Sequence, residues 1–265
     1  MTRLLLVLPV LAACSSSQSP KLDAGTVDDA RVGDGAVPDA PPDAMGTRGD
    51  AMGDAMGDAM EQAYRHTITI DGTDDFVTAE RFPTTTAGFG ARITWDDDHV
   101  FVAYQGPDLD PSAEDAGTKW LFVYLDLDPG AATGATQSQT YNTQHAVLPT
   151  GFGAELYARW KCDGTYSSIE QHDAGTWSSV VTGLTAARTG DFLEIAIPRS
   201  LLGTSSTLGV VTWMINERGF AESSWAGLYD GNFADGYATS LAITKYLRVD
   251  FTSPNAPNDP GNEAP

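Results

Sequence analysis

The chain has 265 residues, 42% apolar and 19% charged, and its 36 Asp and Glu against 15 Lys and Arg leave a formal charge of −21. That length and apolar content suffice for one large all-β domain or two small ones. A body this acidic repels phosphate backbones and anionic lipid heads, which argues against nucleic-acid binding and electrostatic membrane docking and leaves neutral ligands and divalent cations.

Met1, Thr2 and Arg3 form a short basic start, and Leu4 to Ala13 is an apolar run of about ten residues, too short to span a bilayer as a helix. A signal peptide over residues 1–13 is predicted. Leu11-Ala12-Ala13-Cys14, followed by Ser15 to Ser17, resembles the lipobox of bacterial lipoproteins. The resemblance implies cleavage before Cys14, a diacylglycerol thioether on its sulfur and an acylated new N-terminus, several chains anchoring far better than one. Ser15 beside the lipidated residue implies the outer membrane of a Gram-negative-type bacterium. Cys14 and Cys162 are the two cysteines of the chain, so a lipidated Cys14 leaves the mature domain without an internal disulfide. Cys162, between Lys161 and Asp163 near a strand end, reads as a free surface thiol rather than a small buried residue.

Residues 14–61 read as an acidic, low-complexity tether. The stretch lacks aromatic residues and is built on Asp, Ala, Gly, Pro and Met, so it buries too little surface to offset its ordering entropy. An Asp-Ala-Met-Gly unit stands at Asp43–Gly46, Asp50–Gly53 and Asp54–Gly57, and a glycine in each unit costs helix stability every turn. As a coil, the tether holds the domain roughly 35 to 40 Å from its anchor.

From Tyr64 onward, short alternating runs rich in aromatic residues are separated by Gly, Pro, Asp and Asn, the pattern of strands and turns. Gly90 to Trp95 and His99 to Gln105 predict a hairpin turning at Asp96-Asp97-Asp98, with Ala91, Ile93, Trp95, Val100, Val102 and Tyr104 on its apolar faces. Trp120 to Asp126 is nearly all apolar and predicts a central strand covered on both faces. Ala154 to Trp160 places Leu156, Ala158 and Trp160 inward and Glu155, Tyr157 and Arg159 outward. Asp191 to Ile197, Leu208 to Glu217 and a closing strand with Leu247, Val249 and Phe251 follow. Residues 253–265, rich in proline, read as a disordered tail. Strands without βαβ alternation over 62–252 predict a two-sheet antiparallel β-sandwich of jelly-roll type.

Four stretches in order carry a resemblance: Ile68-Thr69-Ile70-Asp71-Gly72; Ile93 to Asp96 with Asp97 to Ala103; Val123-Tyr124-Leu125-Asp126; and Phe192 to Pro198. Together they resemble family 9 carbohydrate-binding modules and the wider DOMON-like group of β-sandwich domains, over about residues 70–250. The resemblance implies a binding module for sugars, often with a structural calcium, although fold likeness alone assigns no function. It also implies aromatic clamps over pyranose C–H faces, with acid, amide and Arg groups on the hydroxyls. On that pattern Trp225 falls in the loop that carries a clamp ring, Glu155, Tyr157 and Arg159 lie on a strand lining the site, and Asn216 and Glu217 match the polar end of a late strand; Tyr229, in the loops around Trp225, is a further candidate contact. Met214 stands where the family has a polar amide, and the Trp with following acids before the central strand is absent.

Asp126 and Asp128, followed by Gly130 and Thr133, are candidate oxygen ligands for calcium, in a turn that favours Asp in any case. Asp230, Asn232 and Asp235 sit in a Gly-rich loop beside Trp225. The scattered His66, His99, His145 and His172 show no zinc spacing, and no Gly-x-Ser-x-Gly elbow occurs. Glu155, Glu194 and Glu217 can be drawn as a glycosidase pair, but Glu194 reads as the polar face of its strand. Trp95, Trp160 and Trp213 read as core, while Trp177 and Tyr141 are ligand-facing or exposed. The reading is a non-catalytic carbohydrate-binding module for a neutral poly- or oligosaccharide, on a lipid-anchored outer-membrane protein. The alternative is a structural or protein-interaction envelope lipoprotein without a small ligand.

Overall fold

The computed structural model describes residues 62–265 except 108, 111–115, 132 and 218–222. All of these belong to the second of two units of the chain, Met56–Pro265. The segments expected to be a signal peptide and a tether, with Cys14, lie outside the described residues.

The expected hairpin is present. Strands β1 (Arg81–Pro83), β2 (Gly90–Trp95) and β3 (His99–Gln105) run antiparallel, with Ile93 opposite Val102. The Asp96 carboxylate caps the turn by accepting from the Asp98 and His99 N–H groups at 2.8 and 2.7 Å. Next come β4 (Lys119–Asp126), β5 (His145–Val147), β6 (Leu156–Lys161), β7 (Ser167–Asp173), β8 (Thr176–Thr182), β9 (Thr185–Thr189) and β10 (Phe192–Pro198). The chain ends through β11 (Thr207–Asn216), β12 (Ser223–Trp225), β13 (Gly236–Tyr237), β14 (Ser240–Ala242), β15 (Tyr246–Asp250) and β16 (Glu263–Ala264). One sheet has five strands in the order β1-β2-β3-β10-β9; the other has nine, β13-β12-β11-β4-β6-β7-β8, with β15 on β11 and β16 on β15. β5 and β14 form a small parallel pair.

β11 organises the large sheet. One edge pairs with β4 from Gly209 to Asn216; the other pairs with β15 at its start and with β12 at its end. Gly209 is required where Phe152 crosses the strand, because a Cβ there would fall 2.9 Å from the Phe152 ring.

The apolar alternation is satisfied in three layers. Between the sheets pack Ile93, Trp95, Val102, Val123, Ala158 and Ile195 with their neighbours. The outer face of the small sheet, Phe101, Ala103, Phe192 and Ala196, is closed by Ile68 and Phe76. The Glu194 carboxylate, read from the sequence as a polar strand face, is buried there and accepts from the Asp71 and Gly72 N–H groups at 2.7 and 2.6 Å. The outer face of the large sheet is the aromatic one: Phe122, Tyr124, Tyr157 and Trp213 lie under Ala146, Leu148, Phe152, Leu241 and Ile243. Each such buried large side chain contributes about 2–3 kcal/mol through the hydrophobic effect.

Two expectations are corrected. Cys162 is fully buried in the core between the sheets, because it continues the inward alternation of Ala158 and Trp160, and burial pushes its thiol up to about 12. Residues 253–265 are not disordered. Asn258 donates from its N–H to Ala79 O at 3.0 Å, Lys245 pairs with Glu263 at 2.8 Å, and β16 extends the sheet. Pro254, Pro257 and Pro260 restrict the unfolded tail, so few contacts are needed to order it.

Candidate functional site

A cleft of about 330 Å³ opens where the end of β11 and β12 meet the loop leading into β2, lined by Thr86, Phe89, Lys119, Asn216, Ser223, Ser224, Trp225, Asp235 and Gly236. Trp225 is half-buried because it ends a three-residue strand, with its backbone paired opposite Met214 while the chain turns away after it. The preceding Ser224 points the other way, is buried, and donates to Gln144 Oε1 at 2.5 Å, which fastens β12 to the layer beneath. Phe89 reaches the same cleft from between Gly88 and Gly90, and its ring meets Trp225 edge-on at 6.3 Å and 84°. Gly106 makes room for it, since a Cβ there would lie 2.0 Å from the Phe89 ring. Asn216 Oδ1 accepts from the Thr118 hydroxyl at 2.7 Å, and one residue on, Glu217 accepts from the Trp120 indole N–H at 3.0 Å. The result is an aromatic corner in a cleft bordered by amide, hydroxyl and carboxylate side chains.

Trp225 and Asn216 thus share one cleft, with Glu217 beside it. The other predicted sugar contacts do not join them. Tyr229 is 7% exposed, lies in the core between the sheets with its ring edge-on to Phe82 at 5.8 Å, and its φ of +72° turns the chain inward. Tyr157 is 1% exposed, stacked on Tyr124 at 4.3 Å and capped by Trp177 at 5.9 Å. Arg159 pairs with Glu170 at 2.7 Å and lies 5.0 Å over the Tyr166 ring. The face expected to be open is therefore a second core, covered by the segment that carries Leu148 and Phe152. Trp177 and Tyr141 pack on its rim. Sequence reasoning missed Phe89, Thr86, Lys119 and Ser223; the isolated aromatic in Gly88-Phe89-Gly90 was the available signal. Of the acidic loop, Asn232 is structural: its buried side chain binds Leu228 O, Lys245 O and the Thr244 and Lys245 N–H groups.

Glu155 serves elsewhere. Its carboxylate lies within 4.8 Å of those of Asp126 and Asp128. Glu155 accepts from Leu127 N–H at 2.8 Å, Asp126 accepts from Gly153 N–H at 2.9 Å, and the Thr133 hydroxyl lies 2.7 Å from Asp128 and 3.0 Å from Glu155. Burial first, then the neighbouring acids, push the Asp126 carboxyl up to about 6; burial also raises that of Glu155. Three clustered carboxylates with the Thr133 hydroxyl beside them offer the hard oxygen donors that a calcium ion takes, and such an ion would offset the repulsion between the acids.

No family model matches the chain, and no curated protein matches it. Among solved structures, it is similar to a family 9 carbohydrate-binding module from Caldicellulosiruptor kristjanssonii in complex with cellotriose. The two share 12% identity over 68% of this chain and 91% of that one, with a TM-score of 0.37.

Proposed function

We propose that the domain is a non-catalytic carbohydrate-binding module that takes a short stretch of neutral poly- or oligosaccharide in the Trp225 cleft. The observation that carries this reading is the half-buried Trp225–Phe89 corner in a cleft shared with Asn216 and Ser223. Sugar C–H faces stack on such rings while hydroxyls need the directional polar groups around them. The cleft volume lies at the small end of the roughly 300–1,000 Å³ common to ligand pockets. Among the described residues lining it, Asp235 is the one carboxylate, whereas glycoside hydrolysis ordinarily uses a pair. In the same reading Asp126, Asp128 and Glu155 hold a structural calcium, and the lipid on Cys14 keeps the domain at the outer membrane.

A glycan array probed in calcium with the chain from Ser15 onward tests this, with Trp225→Ala alongside. Binding lost in the variant is expected; a folded protein that binds no glycan would overturn it. The second reading, a protein-interaction lipoprotein, is favoured by β8. This seven-residue edge strand, Thr-Trp-Ser-Ser-Val-Val-Thr, is largely exposed and has neither charge nor proline to discourage strand addition.

A further inference from the structure

We infer that Asp235 is a positioning residue that sets the Trp225 cleft through Thr85 and Thr86. Directly after Trp225, the fully buried Ala226 takes a φ of +49°, a left-handed conformation that a residue with a Cβ holds only when its surroundings impose it. The surroundings are two threonine hydroxyls. Ala226 N–H donates to Thr86 Oγ1 at 2.7 Å, and Gly227 N–H donates to Thr85 Oγ1 at 3.0 Å. Each hydroxyl has one proton, and each gives it to the same carboxylate: Thr85 to Asp235 Oδ1 at 2.7 Å, Thr86 to Asp235 Oδ2 at 2.6 Å. With both protons committed to Asp235, both oxygens present lone pairs to the backbone. One carboxylate thereby orients two hydroxyls onto two consecutive N–H groups.

The clamp joins the two sides of the cleft. Thr86 stands three residues before Phe89 on the loop into β2, and Ala226 follows Trp225 on β12, so the same four hydrogen bonds hold both aromatic walls. Thr85 N–H to Gly227 O at 2.9 Å adds a backbone tie, and Gly227 lies close under Phe233, whose ring a Cβ would approach to 2.1 Å. The inference rests on the proposed sugar site for its consequence in affinity, but the clamp itself is measurable without a ligand.

Residue-resolved amide hydrogen exchange on the chain from Ser15 onward tests it. Asp235→Ala is expected to speed exchange at both Ala226 and Gly227 about tenfold, and Thr85→Val at Gly227, while the amides of β4 keep their native rates; Thr85→Ser is expected to keep Gly227 within about twofold of its native rate. Native exchange at both amides in Asp235→Ala, or a Thr85→Ser variant as fast as Thr85→Val, would overturn the clamp. Thr85 does not line the cleft, so any glycan bound should be lost in parallel, about fivefold, in Asp235→Ala and Thr85→Val. A loss in Asp235→Ala alone would make Asp235 a ligand contact instead. Altered exchange in a protein that binds no glycan would sustain the clamp and remove the sugar reading.

Discussion

Two aromatic regions of the large sheet invite the same reading and differ in what lies on top of them. At the end of β11 and β12, Trp225 and Phe89 are half-buried and border a cleft. On the outer face of β4 and β6, Phe122, Tyr124 and Tyr157 form a tighter aromatic array that is almost wholly covered. Rings and polar partners occur in both, so composition does not separate a ligand platform from a core. The covering layer does. An Arg beside a Tyr, as at Arg159, reads as a sugar contact until its guanidinium is found spent on Glu170, Ser168 and Tyr166.

The largest expected effect belongs to the covered face. Tyr157→Ala should destabilise the domain by about 3–5 kcal/mol in urea unfolding, as for other large aromatic deletions in cores; a change under about 1 kcal/mol would mean that the face is open. Arg159→Ala should cost about 2 kcal/mol, because it leaves the buried Glu170 carboxylate without its partner, and should leave glycan retention unchanged. Trp225→Ala inverts this pattern: a stability change of about 1 kcal/mol, read from the same unfolding curves, with glycan retention in affinity electrophoresis abolished.

The smallest effect concerns the carboxylates at the other end of β4. A folded-state pKa raised to about 6 for Asp126 means that the folded protein holds more protons than the unfolded chain between about pH 4 and 6. Without calcium, stability should fall as pH rises through that window and then level off. Calcium should raise Tm by a few degrees at pH 7 and by less at pH 5, where protons compete for the site. Equal shifts at both pH values in differential scanning calorimetry would separate calcium from this cluster.

Much of the fold is legible because alternation reports directly on which side of a strand a residue lies. Ile93 and Val102, Leu193 and Ile195, and Leu247 and Val249 all face the core between the sheets as expected. Alternation does not report what covers the other side. The segment over the aromatic face, residues 135–154, is rich in Thr, Gln, Gly and Ala, with Leu148 and Phe152 as its apolar anchors, and nothing in its pattern announces a lid. Tyr229 turns inward for a backbone reason, since its left-handed conformation reverses the direction that a loop position suggests. Cys162 shows the limit of local charge as a guide: Lys161 and Asp163 flank it, yet its own register carries it into the core. Trp225 and Asn216 stand at the ends of β12 and β11, where alternation stops and the side chains border a cleft. Thr85, Thr86 and Asp235 converge from positions some 150 residues apart, a closeness that only the folded chain makes visible.

The most direct test of the proposed Trp225 site follows the indole N–H resonances of the six tryptophans while a glycan is titrated into the protein in calcium-containing buffer. The Trp225 resonance should move, together with the Asn216 side-chain amide, while those of Trp95, Trp160, Trp177 and Trp213 hold still. Shifts at Trp177 with Trp225 unmoved would place the ligand on the covered face and contradict it.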